Sequence, residues 1–317
     1  MDTTPIASNQ ENQHARHPFW AVVLSIAATG LGHIYCGRLL KGLVLFFASF
    51  AFAPIIVIAA QNAASWLMLA MVVMALLLLL GIFIYALIDA GLLARRLGRT
   101  YQCKEYNRWY VYLLFIVVAI SYPTNLASSI RDDVLQAFKI PSQSMAPAIL
   151  PGDRVLLNKA RYKIAPVQRA DVVVFVYPDD RRKYYLKRVV AMPGERVEIR
   201  DNVVYVNDQP LTQQPADNDP KLNFTLPDQA VVMIEDNGHH RYPVIIDPTR
   251  PVNMAPLLVP HGQCVVLADN RQMTADDERH VGDSREFGPV PLADIMGRVA
   301  YVYWPALSWS RFGCYGQ

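Results

Sequence analysis

Four long apolar stretches crowd the first 130 residues of this chain, and the rest of the sequence has nothing comparable. They run from Phe19 to Tyr35, Leu43 to Ala60, Trp66 to Leu93 and Trp109 to Ala127. A bilayer crossing takes about 20 apolar residues. Backbone in lipid must satisfy its own hydrogen bonds, so each stretch is expected to be helical. The polar tail from Met1 to His17 carries Asp2, Glu11 and Arg16 and precedes several apolar stretches rather than a single short one. It therefore does not read as a cleavable leader. A net charge of +3, with no basic stripe interleaved with aromatics, gives no reason to expect nucleic acid as a partner.

Basic residues set an expected orientation. Arg95, Arg96, Arg99, Lys104 and Arg108 lie between the third and fourth stretches against one acid, Glu105. Such a loop stays in the cytoplasm. Arg38 and Lys41 mark the connection after the first stretch in the same way, whereas Gln61–Ser65 is uncharged and fits outside. The fourth stretch then runs outward and delivers everything after about Ser128 to the extracytoplasmic face. The near-neutral tail fits outside as well; if the first stretch is re-entrant, the tail moves inside. Asp89 reads as an interfacial acid near Arg95 and Arg96, or as a buried functional acid. The glycines of Gly30–Gly37 read as a close helix contact or a turn. Topology leaves Cys36 and Cys103 on the reducing side and Cys264 and Cys314 outside, where a disulfide is possible. No cysteine or histidine spacing suggests a metal.

From about Arg131 the texture changes. Short β-rich runs (Asp153–Leu157, Val172–Tyr177, Lys187–Ala191, Arg196–Val206, Ala230–Glu235, Cys264–Ala268) alternate with Pro, Gly, Asn and Asp clusters. That predicts a domain of many short strands. Asn207–Pro227, polar and proline-rich, reads as an inserted loop or lobe.

Three segments carry chemistry. In Ile140–Asp153, Ser142 and Ser144 sit between Pro141 and Pro147, whose fixed φ stiffens the backbone around them. A serine hydroxyl needs such rigidity, and a base, to act as a nucleophile. In Tyr184–Glu195, strand alternation puts Lys187 on a face with Tyr185, Val189 and Ala191. Apolar neighbours disfavour the charged amine, and a neutral lysine can accept a serine proton. Arg188 cannot deprotonate. In Gly282–Gly288, an Asp283/Arg285 pair around Ser284 is placed to brace the lysine strand. His239, His240, His261 and His280 have no spacing that suggests a Ser-His-Asp arrangement, and Asp276–Glu278 reads as a solvated loop.

In this order, behind a membrane anchor, these segments resemble the bacterial type I signal peptidase family. The matching text is Pro141-Ser-Gln-Ser-Met-Ala-Pro147 with Gly152-Asp153, Asp171–Pro178, Lys187-Arg-Val-Val-Ala-Met-Pro-Gly194, Asp269-Asn-Arg271, and Asp283-Ser-Arg285 with Gly288. The resemblance covers roughly Phe138 to the C-terminus. It implies a serine endopeptidase of the bacterial plasma (inner) membrane that removes signal peptides from exported preproteins through a Ser144 acyl-enzyme, with Lys187 as general base. It also implies an oxyanion hole from the Ser142 hydroxyl and the Ser144 amide, with Asp283, Ser284 and Arg285 as supports. Phe138, Ile140, Ile149 and Leu186 match positions that line small pockets for an Ala-x-Ala-like leader end. No cofactor, metal or nucleic acid is implied; the partners are leader-bearing preproteins and the bilayer. The aromatic C-terminus (Tyr301, Tyr303, Trp304, Trp309, Phe312) suits a catalytic domain resting on the membrane surface.

The expected architecture is a multi-span α-helical membrane anchor followed by a mainly-β extracytoplasmic catalytic domain of the signal-peptidase type, on the periplasmic side. Its parts are a polar tail (1–17), a membrane region (18–129) and a peptidase domain (130–317) with an inserted loop or lobe near 207–262. The sequence departs from the family pattern in three ways. Ala268 replaces a usual glycine, the stretch from Asn270 to Asp283 is long, and Val281 stands where the family has a serine that helps hold the lysine. Thr274 is a hydroxyl that would take that place if the loop folds back. Alternative readings are a Ser/Lys peptidase with one dedicated substrate, or a catalytically decayed membrane scaffold.

Overall fold

The computed structural model describes residues 15–54, 65–97, 101, 104–216, 229–238, 240–272 and 282–313. The chain forms two compact units, Met1–Ser129 and Ile130–Gln317.

The first unit is helical: α1 (Pro18–Ala27), α2 (Leu31–Tyr35), α3 (Leu39–Phe50), α4 (Ser65–Leu97) and α5 (Trp109–Asp133), the last reaching past the unit's end. Pro18 opens α1, where its missing N–H costs nothing. Two helical stretches, Leu69–Leu97 and Trp109–Asp133, are long and apolar enough to cross a membrane. Their exposed side chains include Leu76, Leu77, Leu80, Leu113, Leu114 and Ile120. Apolar surface of that extent calls for lipid or protein to cover it.

The first apolar stretch is not one helix, which corrects the expectation of a single segment from Phe19 to Tyr35. The chain turns at Gly30, whose φ is +90°. Glycine alone holds that region without a Cβ penalty. A Cβ on Gly30 would also meet the Gly42 carbonyl oxygen at 2.2 Å, and one on Gly32 would meet the Ala21 carbonyl oxygen at 2.1 Å. These glycines therefore let α1, α2 and α3 pack backbone to backbone. Residues 55–64, which end the second apolar stretch, lie outside the described residues. Asp89, expected as an interfacial acid near Arg95 and Arg96 or as a buried functional acid, is partly exposed, and its carboxylate meets His33 Nε2 at 2.8 Å and Lys41 Nζ at 2.7 Å.

The second unit is built from short strands: β1 (Leu135–Lys139), β2 (Arg154–Asn158), β3 (Val172–Val176), β4 (Tyr184–Ala191), β5 (Arg196–Arg200), β6 (Val203–Val206) and β7 (Gln209–Pro210). They continue with β8 (Thr212–Pro215), β9 (Val231–Asp236), β10 (Arg241–Ile246), β11 (Met254–Leu258), β12 (Gln263–Leu267), β13 (Val290–Pro291) and β14 (Ile295–Trp304). All pairings between these strands are antiparallel. A seven-stranded sheet runs β1-β2-β14-β3-β4-β12-β13, beside a four-stranded sheet β11-β5-β6-β7 and a three-stranded sheet β10-β9-β8. The single β-rich run Arg196–Val206 is a hairpin. Asp201 and Asn202, with φ of +46° and +69°, make its turn, the conformation a tight hairpin demands and short polar side chains tolerate.

Apolar alternation closes the core. Ile140, Met145, Ile149, Val155, Leu157, Val172, Val174, Val299 and Val302 form one cluster of the large sheet. Tyr301, read from sequence as interfacial, is 4% exposed because β14 runs through the middle of that sheet. Trp304 and Trp309 do remain exposed, stacked edge-on at 5.3 Å. Cys264, on β12, is a free and fully buried thiol, its pKa pushed up to about 12 by burial. It makes no disulfide; Cys314 lies outside the described residues.

Candidate active site

The loop from Ile140 to Asp153 is held at three places. At its neck, the Ile140 amide donates to the Asp153 carbonyl at 2.9 Å and the Gly152 amide to the Ile140 carbonyl at 2.7 Å. At the C-terminal side of that neck, the fully buried Asp153 carboxylate accepts from the Leu150 and Ala306 amides, both at 2.8 Å, and pairs with Arg311 at 3.1 Å. In the middle, the Ser144 carbonyl accepts from the Asn270 amide at 3.0 Å. Ser144 is 8% exposed, and its own amide donates to the Ser142 hydroxyl oxygen at 3.1 Å.

Lys187 enters from β4 and is 2% exposed. It and Ser144 line one cavity of about 180 Å³, with Ser142, Phe138, Ile140, Leu186, Tyr184 and Tyr185 also in its wall. Phe138, Ile140 and Leu186, three of the four residues the resemblance assigns to a leader pocket, are in this wall. Ile149 is not in that wall; it is fully buried in the core cluster it shares with Ile140. Burial pulls the Lys187 amine down to about 8, with Asp283 opposing the shift and Arg285 reinforcing it. Lysine suits this environment because its charge can be surrendered.

The support behind Lys187 is a second loop sewn to β12. Asp283 caps the short helix α6 (Ser284–Phe287) by accepting from the Arg285 amide, and it also accepts from the Ala268 amide at 2.9 Å. The Ser284 hydroxyl accepts from the Val266 amide at 2.9 Å. Arg285 pairs with Asp283 at 2.8 Å and donates to the Arg271 carbonyl at 2.8 Å. Burial alone would raise the Asp283 carboxyl, but Arg285, Lys187 and the Ala268 amide outweigh it and hold it below its ordinary value. Val281, Thr274, Asp276, Asp277, Glu278 and His280 lie outside the described residues.

The neighbouring residue, Arg188, serves a different network. Its guanidinium grips Asp269 at 2.7 and 2.6 Å, donates to the Ala170 carbonyl and stacks 4.2 Å from the Tyr242 ring centroid. The Tyr242 hydroxyl donates to Glu235 at 2.8 Å, and Arg271 donates to the same Glu235 oxygen at 2.9 Å. All five residues are buried. The Ile245 amide donates to the Asp269 carbonyl and the Arg271 amide to the Ile245 carbonyl. The 269–271 segment that holds Ser144 is therefore itself pinned to β10. Sequence reasoning missed Glu235 and Tyr242. An acid on a β-rich run and a tyrosine beside a proline carry no local signal, since their partners are distant in sequence. Among the described residues there is no group of three or more His, Cys, Asp or Glu arranged to hold a metal.

Such a site can perform acyl transfer without a cofactor: a serine hydroxyl on a tied backbone, a lysine amine lowered toward neutrality, two adjacent donors and an apolar cleft. Comparison with known proteins adds the following. The model of the family described as "Signal peptidase, peptidase S26" matches residues 107–304. A probable signal peptidase I-1 from Synechocystis sp. is 28% identical over 197 residues, 60% of this chain and 82% of that protein. Signal peptidase I from Bacillus caldolyticus is 29% identical over 210 residues, 64% of this chain and 92% of that one. The chloroplastic thylakoidal processing peptidase 1 of Arabidopsis thaliana is 30% identical over 185 residues, 55% of this chain and 44% of that one.

Proposed function

As a member of the signal peptidase family, peptidase S26, this chain is a serine endopeptidase that removes signal peptides, and we propose that it does so with Ser144 as nucleophile and Lys187 as general base. The observation that carries this assignment is that Ser144 and Lys187, far apart in sequence, line one cavity in which the amine sits at about 8.

The Lys187 amine takes the Ser144 proton as Oγ attacks the scissile carbonyl. The resulting oxyanion meets the Ser144 amide and the Ser142 hydroxyl. At rest the Ser144 amide donates to the Ser142 oxygen; its one N–H turns from that oxygen to the oxyanion as the charge forms, and the Ser142 hydroxyl proton, not used in that bond, donates beside it. Collapse breaks the C–N bond, and the protonated lysine returns its proton to the departing amine of the mature protein. Water, activated by the again neutral Lys187, then hydrolyses the Ser144 ester and frees the leader. Phe138, Ile140 and Leu186 give the leader end an apolar wall that suits small side chains. Asp283, Ser284 and Arg285 hold the lysine strand in place. The multi-span helical anchor (18–129) keeps the enzyme in the inner membrane of a bacterium, the tail (1–17) precedes it, and the peptidase domain (130–317), with its lobe near 207–262, faces outward. The basic run Arg95–Arg108 supports that orientation.

The test is cleavage of a leader-bearing preprotein by the detergent-solubilised protein. Wild type cuts after a small-x-small end and Ser144→Ala does not; an active Ser144→Ala protein would overturn the assignment. Ser142→Ala lowers kcat by about 10²–10³-fold with little change in KM, the cost of one oxyanion donor. A chelator leaves the rate unchanged, and a rate lost to chelation and restored by metal would refute the dyad.

A further inference from the structure

The helical unit constrains its own membrane topology. The Arg16 guanidinium, just before α1, lies 4.2 Å from the Tyr35 ring centroid and 4.5 Å from that of Tyr101. Tyr35 ends α2, and Tyr101 follows α4. The Gly37 carbonyl accepts from Lys104 Nζ at 3.3 Å and from the Tyr106 hydroxyl at 2.7 Å, and the Asn107 amide group donates to the Ile34 carbonyl at 2.9 Å. Residues 16, 34–37, 101 and 104–107 thus form one cluster.

Helix α4 has 33 residues, about 50 Å at 1.5 Å per residue, well beyond the ~30 Å hydrocarbon core. Its two ends therefore lie on opposite faces of a bilayer, and the whole cluster sits at its Leu97 end. From Arg16 to Tyr35 the chain leaves this face and returns to it. Two full helical crossings would take about 40 residues, twice the length available. The chain from Arg38 to Ser65, by contrast, must reach the other end of α4 and so crosses once.

We propose that α1 and α2 form a re-entrant hairpin that enters the bilayer from the cytoplasmic side and returns. The N-terminal tail then shares the cytoplasm with the basic loop, and the anchor crosses three times, through the segment containing α3, through α4 and through α5. This resolves the two placements the sequence left open for the tail in favour of the inside. The proposal rests on the membrane-anchor part of the functional reading, not on its chemistry.

The hairpin is built for such a place. A turn within lipid is tolerated only where protein covers its backbone, and Ala28, Gly30, Leu31 and Gly32 are all buried. Asp89 of α4 ties the hairpin down, since His33 of α2 and Lys41 of α3 both meet its Oδ2. His33 is fully buried, so the acid that holds it acts as a positioning residue for the hairpin.

Labelling of cysteines introduced one at a time into the full chain tests this, with Cys103 and Cys314 replaced by serine and the buried Cys36 and Cys264 left in place as a background control. An impermeant maleimide labels Ser8→Cys and Glu105→Cys only in inside-out vesicles, Asn62→Cys only in spheroplasts, and Thr29→Cys, at the hairpin tip, in neither. Adding Asp89→Ala raises Thr29→Cys labelling in inside-out vesicles about tenfold or more, the factor expected when a charge-assisted hydrogen bond is lost. Labelling of Ser8→Cys or Thr29→Cys in spheroplasts overturns the hairpin or its cytoplasmic entry. An N-terminal epitope tag on the otherwise unaltered chain, probed by protease in the same two preparations, gives the same answer if a cysteine variant fails to fold. Preprotein cleavage measured on each variant reports the catalytic reading separately.

Discussion

Lys187→Ala and Lys187→Arg each lower leader cleavage by about 10²–10⁴-fold, the usual worth of a positioned general base. The arginine variant is the more informative, because it keeps the charge and much of the length but has no proton to give up near neutral pH. In wild type the active form is the neutral amine. With its acidity at about 8, kcat/KM rises close to tenfold per pH unit below that value and levels off above it. Normal cleavage by Lys187→Arg, or a wild-type profile flat from pH 6 to 9, would remove Lys187 from the mechanism. The same burial has a cost in stability. Folding lowers the amine from 10.5 to about 8, so between those two values the unfolded chain binds more protons, and stability is lost as pH falls from 10.5 toward 8. Below about 8 the full penalty is present, on the order of 3 kcal/mol at most. Lys187→Met, of similar length and uncharged, is therefore inactive yet melts higher than wild type at pH 7. Such an exchange of stability for function is common at active sites.

Asp269→Ala destabilises the protein by about 3–5 kcal/mol, because it strands the buried Arg188 guanidinium without its carboxylate. Asp269 is fully buried and Arg188 is 3% exposed, so water cannot replace the lost partner. Thermal or denaturant unfolding of the solubilised protein measures the loss. The double variant Arg188→Met/Asp269→Leu recovers most of it, since an apolar pair of similar volume needs no compensation. Its cleavage rate stays below wild type wherever the 269–271 segment no longer presents the Asn270 amide to Ser144. A single-variant loss under about 1 kcal/mol would mean that the pair is not the closed, dry contact described above.

What was legible in the sequence follows from how local each determinant is. The serine loop announces itself because rigidity and the two hydroxyls proposed as nucleophile and oxyanion donor lie within a few residues, between Pro141 and Pro147. Lys187 is visible because strand alternation assigns its face and its neighbours are apolar. An orientation for the anchor can be proposed from the sequence because charge asymmetry is a property of loops. The central strand β14 was hidden: its aromatics mimic a membrane-interface belt, and only pairing with β2 and β3 shows Tyr301 to be interior. Ile149 matched a pocket position in sequence yet turns wholly into the core.

The sequence by itself determined the division into an apolar half and a strand-rich half, and it singled out the proposed nucleophile and base, because periodicity, proline rigidity and charge act over a few residues. Only the tertiary structure decided which groups neutralise one another. Glu235 meets Arg271 across 36 positions, Arg188 meets Asp269 across 81, and His33 and Lys41 meet Asp89 across 56 and 48. A buried charge demands a partner, but that demand does not name which distant residue answers it. The fold answers it by closing strands and helices around a small set of fixed contacts, as it does in turning the first apolar stretch back at Gly30.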